Sequence, residues 1–217
     1  MDMKKIWKLM AAIAIIGGLA ACKKDEGPTD RSGGCEAVDL GLSVKWASYN
    51  VGAMKAEGRG SYFAWGETEE KQVYDWSKEG DYKWGVYPMM TKYAGDSILD
   101  MEDDPAAMNW GGKWRTPTKK EIDELLDTDK CEWTWDDTRK GYVVKGLKTG
   151  NSIFLPAAGY RSGSELRSAG DMGYYWSSSV SSVYSTSAEG FGFSSSGKFS
   201  GFEARLCGRS VRAVTEY

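Results

Sequence analysis

The residue types best suited to contacting a ligand are concentrated in residues 174–214, near the end of the 217-residue chain. Serine, glycine, tyrosine and phenylalanine fill this segment, with few aliphatic residues among them. Tyrosine and phenylalanine supply contact area at low cost in conformational entropy, whereas serine and glycine supply hydrogen bonds and steric clearance. The composition therefore predicts an adaptable binding surface, with a serine- and glycine-rich loop or linker as the alternative.

Periodicity within the segment favours the binding surface. Phe191 and Phe193 alternate with glycine and serine, which predicts a strand with an aromatic inner face and a small, polar outer face free for contact. The apolar residues 210–214 that follow are typical of a central strand. A linker does not usually lie between two strands near a chain terminus.

Other chemistry has little support in this composition. The chain contains no histidine, which removes the commonest general base, the commonest zinc ligand and any nucleophile paired with histidine. The acidic group Glu121, Asp123 and Glu124 is predicted to be the solvated face of a helix. A net charge of −3 gives no electrostatic case for nucleic acid. We therefore expect no enzymatic activity, no cofactor and no metal.

The N-terminal residues carry the pattern of an export signal. Lys4, Lys5 and Lys8 precede an apolar run at 9–21 that is too short to span a bilayer comfortably, so residues 1–21 are predicted to be a signal peptide rather than a buried helix. The run ends Leu19-Ala20-Ala21-Cys22, which resembles the lipobox of bacterial lipoproteins and implies lipid attachment at Cys22. Residues 23–26 resemble the surface-export signal of Bacteroidetes lipoproteins, which implies the outer face of the outer membrane; a charged, solvated tether is the alternative.

After the signal, a polar spacer at 27–34 predicts a flexible tether over 22–36 and one folded domain over 37–217. Ten tryptophans suit a loop-rich fold, because buried indole N–H groups need acceptors that irregular backbone can provide. Thr116 is predicted to cap the only clear helix, with Pro117 at its first position and an apolar stripe from Ile122 to Leu126. Strands are predicted at 37–47, as two short strands around Gly41, and at 62–67, 131–135, 141–147, 151–156, 190–194 and 210–214.

Irregular structure is predicted at 68–104 and a loop at 157–172. One helix among many short strands indicates an α+β fold with antiparallel sheets.

Six segments in collinear order carry a family resemblance that covers nearly everything after Cys35. They are residues 38–47, 63–67, 110–118, 154–161, 175–179 and 208–214, and they include the turn Trp114-Arg115-Thr116-Pro117-Thr118. Together they resemble the Fibrobacter succinogenes major paralogous domain of Bacteroidetes surface lipoproteins. This resemblance implies a C-type-lectin-like fold. The calcium-binding motifs of sugar-binding C-type lectins do not occur in the chain, and of the cysteine pair used by the related formylglycine-generating enzymes only Cys207 has a counterpart.

Relatives of this kind sometimes carry C-terminal residues rewritten by a diversity-generating retroelement, which randomises adenines in codons of a fixed frame. The resemblance implies the same here, because many residues belong to the set that such codons encode. Cys207 belongs to this set, and the remaining members are the predicted ligand contacts: Tyr184, Ser185, Ser187, Gly190, Gly192, Ser194, Ser196, Phe199, Ser200, Phe202, Ala204, Leu206 and Arg209.

Glu189, Lys198 and Glu203 fall outside the permitted set and are assigned to the frame, unless they contradict the idea. Trp176, Phe191, Phe193, Val211 and Val214 are expected to hold the same frame.

The sequence thus predicts a lipid-anchored surface module that binds an extracellular protein or glycan. A structural cell-envelope or pilus-tip subunit is one alternative, and a formylglycine-type modifying enzyme acting through Cys207 is another. With Cys22 lipidated, three cysteines remain, and a bridge between Cys35 and Cys131 or free thiols are both compatible with the sequence.

Overall fold

The structure is a computed structural model that describes residues 29–75, 92–95 and 97–217. The predicted signal peptide, the predicted lipid site at Cys22 and the first part of the predicted tether lie outside these residues, as do 76–91 and Asp96 in the segment predicted to be irregular. Within the described residues, no helix is both long enough and apolar enough to cross a membrane.

Short strands dominate the described part of the chain, together with two short α-helices. The helices are α1 (Pro105–Trp110) and α2 (Lys119–Leu126), and a 3-10 turn at Met101–Asp103 precedes α1. The strands are β1 (Ala37–Val38), β2 (Lys45–Ala47), β3 (Cys131–Asp136), β4 (Gly141–Gly146), β5 (Ser152–Pro156), β6 (Tyr160–Ser162), β7 (Glu165–Arg167), β8 (Met172–Val180), β9 (Ser187–Ser194), β10 (Gly197–Ala204) and β11 (Val214–Thr215).

The strands form small antiparallel sheets. Their orders are β1-β2-β11, β3-β4-β5 and β10-β9-β8, and β6 pairs with β7 as a two-stranded hairpin. Val214 pairs with Trp46, so the end of the chain closes onto the first strands of the domain. This mostly antiparallel architecture with two short helices agrees with the predicted α+β class.

Several predicted strands are confirmed. The hairpin pattern at 131–156 forms β3, β4 and β5, and the two short strands around Gly41 form β1 and β2. The alternation at Phe191 and Phe193 falls in β9, where both rings face the core and Tyr175 of β8 stacks on them at 5.1 and 5.9 Å between ring centroids. The sheet of β8, β9 and β10, which we call the β8–β10 sheet, is therefore anchored by its aromatic inner face.

Two other predicted strands are wrong in extent. At 62–67 only Phe63 makes a β-bridge, to Arg209, because the next available amide, that of Trp65, bonds to the carbonyl of Arg205 instead. At 210–214 only Val214 belongs to a strand ladder. The carbonyls of Ser210, Val211 and Ala213 accept hydrogen bonds from backbone amides in β8 and in residues 47–51. This stretch is therefore buried without being a regular strand.

The helix start is corrected by two residues. Thr118, not Thr116, caps α2, and its hydroxyl accepts from the amide of Glu121 while the Glu121 carboxylate accepts from the amide of Thr118. The Glu121 carboxylate also accepts two hydrogen bonds from the guanidinium of Arg115, at 2.6 and 2.8 Å. Glu121 is therefore buried and does not belong to the predicted solvated face. The guanidinium contributes to holding the pKa of Glu121 below its usual range, although burial opposes this lowering.

Helix α1 is missing from the sequence-based prediction, although its start signal is present. Asp104 is the N-cap and Pro105 occupies the first helical position. The Asp104 carboxylate accepts from the amides of Ala106 and Ala107, and also from the amide and hydroxyl of Thr116 at 2.8 and 2.7 Å. The carboxylate therefore ties α1 to the turn that leads into α2.

Two loop assignments also change. The predicted loop at 157–172 contains the β6–β7 hairpin. In the predicted tether, the amide of Arg31 donates to the carbonyl of Trp110 and its guanidinium donates to that of Met108 at 2.7 Å. Ser32 is buried as well. The last turn of a helix leaves carbonyls without partners, and Arg31 satisfies two of them, so this end of the predicted tether lies against the domain.

Some buried tryptophans find backbone acceptors, so the prediction from composition holds only in part. The indole N–H groups of Trp46 and Trp114 are buried without a hydrogen-bond partner among the described residues. Trp65 Nε1 donates to the carbonyl of Ser177, and Trp176 Nε1 donates to that of Phe63, each at 2.8 Å. These reciprocal bonds join the 62–67 segment to β8 of the β8–β10 sheet.

Candidate ligand-binding surface

Strand β10 is an edge of the β8–β10 sheet and carries exposed aromatic side chains on both of its faces. Phe199 is 45% exposed and Phe202 is 42% exposed, and Tyr184 in the loop between β8 and β9 is 53% exposed. Apart from Tyr217, these are the exposed aromatic side chains in the described part of the chain. Since large apolar side chains are normally buried, their concentration on one strand and its adjacent loop marks a surface suited to contact.

On one face of the sheet, aromatic side chains form a row that passes over a glycine of β9. In the strand register Tyr174, Gly192 and Phe199 lie side by side across β8, β9 and β10. The rings of Tyr174 and Phe199 are 6.2 Å apart, edge to face, and Tyr160 continues the row 5.1 Å from Tyr174. We call this group of Tyr160, Tyr174 and Phe199 the Phe199 face.

The other face of β10 carries a second aromatic group. Phe202 contacts Tyr184, with 5.0 Å between ring centroids, and Val183 beside them is 64% exposed. We call Val183, Tyr184 and Phe202 the Phe202 face. Because successive side chains of a strand point to opposite sides, the odd separation between residues 199 and 202 puts the two rings on opposite faces.

The structure separates the predicted ligand residues by exposure. Nine are exposed or half-buried: Tyr184, Ser185, Ser194, Ser196, Phe199, Ser200, Phe202, Ala204 and Leu206. Ser187, Gly190, Gly192 and Arg209 are buried. The predicted contacts therefore do not form a single face. The exposed ones lie on both sides of β10, and the four buried ones are covered by β10 and its neighbours.

The two buried glycines are required by close packing. A Cβ atom at Gly190 would lie 2.4 Å from the carbonyl oxygen of Tyr175. At Gly192 it would lie 2.5 Å from Cζ of Phe199 and 3.1 Å from Cδ1 of Tyr174. The outer face of β9 is therefore covered by the neighbouring strands rather than free for contact, which corrects the prediction from alternation alone.

Arg209 is held beneath the Phe199 face. Its guanidinium lies 4.8 Å from the centroid of Tyr174 and 4.7 Å from that of Trp176, and Nη2 is 3.3 Å from the Glu203 carboxylate. Burial lowers the pKa of Arg209 below its ordinary value. Only 3% of Arg209 is exposed, so it supports Tyr174 from below and does not present itself at the surface.

Two of the three residues outside the retroelement set make contacts within the frame. Glu203 pairs with Arg209, and Lys198 Nζ donates to the carbonyl of Leu126 at 2.7 Å, where α2 ends. Glu189 is buried, and burial raises the pKa of its carboxyl group.

Tyr160, Tyr174 and Val183 belong to the two faces but were not among the predicted contacts. The pairing register of β8 with β9 would have identified Tyr174 as a member of the Phe199 face, because Tyr174 pairs with Gly192. Tyr160 and Val183 carry no comparable signal in the sequence.

The described acidic residues that come closest to a metal site share ion pairs with one lysine. Asp100, Glu102 and Asp103 gather their carboxylates within 4.8 Å of one another. Lys92 Nζ lies 3.1, 2.9 and 2.6 Å from them, and these bonds, above all that to Asp103, raise the pKa of Lys92. The ammonium thus occupies the position between the carboxylates and offsets one of their three negative charges.

The described cysteines, Cys35, Cys131 and Cys207, are free thiols. Burial raises the pKa of Cys131 to about 11 and also raises that of Cys207. A raised pKa keeps a thiol protonated at neutral pH, and the thiolate is the nucleophilic form.

The surface can therefore offer aromatic contact area, serine hydroxyls and the exposed carboxylate of Glu203, and it can recognise a partner by stacking, shape and hydrogen bonds. No protein-family model, curated protein or solved structure matches this chain.

Proposed function

We propose that this protein is a lipid-anchored module displayed on the outer membrane, with a C-type-lectin-like domain that binds an extracellular protein or glycan through β10. The observation that carries the proposal is the pair of exposed aromatic faces on one edge strand. Exposed aromatics clustered with small polar residues are typical of paratope-like surfaces, in which rigid rings give affinity and serine and glycine adapt to the partner. The N-terminal pattern ending at Cys22 supports display at the membrane.

Contacts beneath the surface agree with a rigid frame carrying variable residues. Arg209, Trp176 and the packed glycines fix the sheet from below, whereas Phe199, Ser200 and Phe202 project from its edge. Preorganised support of this kind reduces the entropy lost on binding. The raised pKa of Cys207 and the lack of histidine weigh against the enzymatic alternative.

The proposal predicts that removal of the exposed rings abolishes binding without unfolding the protein. The full chain is screened on protein and glycan arrays beside the triple variant Tyr184→Ser, Phe199→Ser and Phe202→Ser. We expect affinity for a captured ligand to fall at least 30-fold, about 2 kcal/mol, since buried aromatic contacts dominate interfaces. Single variants Phe199→Ser and Phe202→Ser assign the ligand to one face.

The matched control replaces three exposed methionines elsewhere, in the variant Met54→Ser, Met101→Ser and Met108→Ser. Equal affinity of the aromatic and control variants for every captured ligand would refute β10 as the binding surface. Altered assembly of the aromatic variant, with no ligand effect, would favour a structural envelope subunit instead. Turnover that is lost in Cys207→Ser would favour the modifying enzyme.

Retroelement diversification makes a separate prediction about natural variation. In deep sequencing of the 3′ end of the gene across a population of the source bacterium, substitutions should fall at the adenine positions of a nearby template copy. We expect them at the exposed positions Tyr184, Ser185, Ser196, Phe199 and Phe202, and we expect Gly190 and Arg209 to stay constant because they are packed. A uniform 3′ end without a template copy would eliminate diversification and leave the binding proposal standing.

A further inference from the structure

A groove outside the proposed binding surface lies between the β3–β4 hairpin and the turn that joins β9 to β10. Its volume is about 570 Å³. Small-molecule pockets commonly enclose roughly 300–1,000 Å³ and combine apolar walls with a few polar groups. The principal walls are formed by Cys131, Trp133, Tyr142, Leu147 and Lys198.

The aromatic wall of the groove is held rigidly from the core side. Trp133 packs edge to face against Tyr142 at 5.3 Å and against Phe191 and Phe193 at 6.2 and 6.1 Å. Trp133 Nε1 donates to the carbonyl of Leu125, and the Tyr142 hydroxyl donates to that of Ser194. With both polar atoms engaged, these residues offer mainly apolar ring surface to the groove.

The rim adds a further apolar contact. Leu147 lines the groove and is 52% exposed, so water covers much of a large aliphatic side chain there. A ligand that covers Leu147 and the ring of Trp133 together gains from the removal of this apolar surface from water.

A single ammonium group faces this apolar wall. Lys198 Nζ lies 5.6 Å from the centroid of Trp133 and donates one hydrogen bond, to the carbonyl of Leu126. Among the described residues, no carboxylate lies within ion-pair distance of Lys198. Because an ammonium has three N–H donors, two remain after the bond to Leu126. Lys198 thus has the capacity to hold an anion as well as to cap α2.

Two acidic residues oppose an anion here. Asp127 is half-buried near the groove, and its charge acts on Cys131 more strongly than that of Lys198 does. Glu132 lines the groove but is exposed, so solvent and salt screen its charge. The half-buried Lys198 is screened less than Glu132, so a negative group is favoured where it contacts the ammonium of Lys198 directly.

We propose that this groove binds a small apolar acid, a compact ring system with one carboxylate, whose ring lies on Trp133 and Leu147 and whose carboxylate accepts from Lys198. The site is separate from the Phe199 and Phe202 faces and does not depend on the function proposed for them.

The test uses the full chain and three matched probes: 2-naphthoate, neutral naphthalene-2-methanol and cationic 2-naphthylmethylammonium. Their dissociation constants are measured by isothermal titration calorimetry. We expect 2-naphthoate to bind at least tenfold more tightly than the neutral probe, since a charge-assisted hydrogen bond to the ammonium is made only by the carboxylate. The cationic probe should bind most weakly.

Lys198→Met should abolish the preference for the carboxylate and retain binding of the neutral probe, because the apolar wall persists. Leu147→Ser, at an exposed position that the fold does not need, should weaken all three probes by a similar factor. Lys55→Met, at an exposed lysine that does not line the groove, is the charge-matched control and should change nothing.

Equal affinities for the three probes, or binding of 2-naphthoate that survives unchanged in both Lys198→Met and Leu147→Ser, would overturn the proposal. Absence of calorimetric binding up to the solubility limit of 2-naphthoate would overturn it as well. If Lys198→Met lowers the melting temperature so far that it is unfolded during the titration, Leu147→Ser together with the charge series on the unaltered chain decides the question.

Discussion

Gly190→Ala should lower the free energy of unfolding by about 2–3 kcal/mol, because a methyl group there meets the backbone of β8 rather than a movable side chain. The Cβ atom of the alanine would lie 2.4 Å from the carbonyl oxygen of Tyr175, far inside van der Waals contact. The strand pairing of β8 with β9 must open to accommodate it, so the effect should reach the whole β8–β10 sheet.

Gly201→Ala is the matched control, since Gly201 is the strand partner of Gly190 and a Cβ atom there has no neighbour within 4 Å. It should be neutral or stabilise by up to ~1 kcal/mol, because alanine restricts the unfolded chain more than glycine does. Urea denaturation of the two variants measures the difference. Equal changes in the free energy of unfolding would mean that the packing of β9 against β8 is looser than described.

Arg212→Met should destabilise the fold more, by about 3–5 kcal/mol. The guanidinium is fully buried and donates to Asn50 Oδ1, to the carbonyl of Ala47 and to that of Phe154 at 2.9, 2.9 and 2.8 Å. Methionine fills much of the space and leaves all three acceptors without a donor, and each buried acceptor left unpaired costs about 1–3 kcal/mol, with incomplete additivity.

The hydrogen bonds of Arg212 belong to a larger buried network. Asn50 also donates to the hydroxyl of Tyr175, which in turn donates to the carbonyl of Pro156. Burial raises the pKa of Tyr175 to about 12, so its hydroxyl keeps its proton and remains a donor at neutral pH. Residues 209–215 are thereby joined to β8 and β5.

Arg167→Met serves as the comparison for Arg212→Met. Arg167 is half exposed and forms a surface pair with Glu165, and such pairs contribute about 0–1 kcal/mol. Thermal and denaturant unfolding should show a much larger loss in the free energy of unfolding for Arg212→Met than for Arg167→Met. A loss below ~1 kcal/mol in Arg212→Met would contradict the assigned network.

Local patterns identified much of the frame. The alternation at Phe191 and Phe193 predicted an aromatic inner face, and the structure confirms it because period-2 burial is a local property of a strand. The helix at α2 was found from its apolar stripe. Its start was misplaced because Thr116 and Thr118 both suit an N-cap. The glutamate three residues after Thr118, the pattern of a capping box, already distinguishes them in the sequence, and the contact of Thr116 with Asp104 agrees with it.

Long-range contacts account for the errors at the candidate surface. Composition grouped Gly190, Gly192 and Arg209 with the exposed aromatics, since glycine and arginine occur in both packed and exposed settings. What buries them is the neighbouring strand β8, whose Tyr175 carbonyl crowds Gly190 and whose Tyr174 and Trp176 enclose Arg209. No property of the isolated segment encodes that covering.

The most direct test of β10 as the ligand surface is hydrogen–deuterium exchange of the full chain with and without a ligand captured on the arrays. The proposal predicts new protection of backbone amides in residues 183–202, on one or both faces of β10, that is absent in the triple aromatic variant. Protection confined to other parts of the chain, with residues 183–202 exchanging as in the free protein, would contradict it.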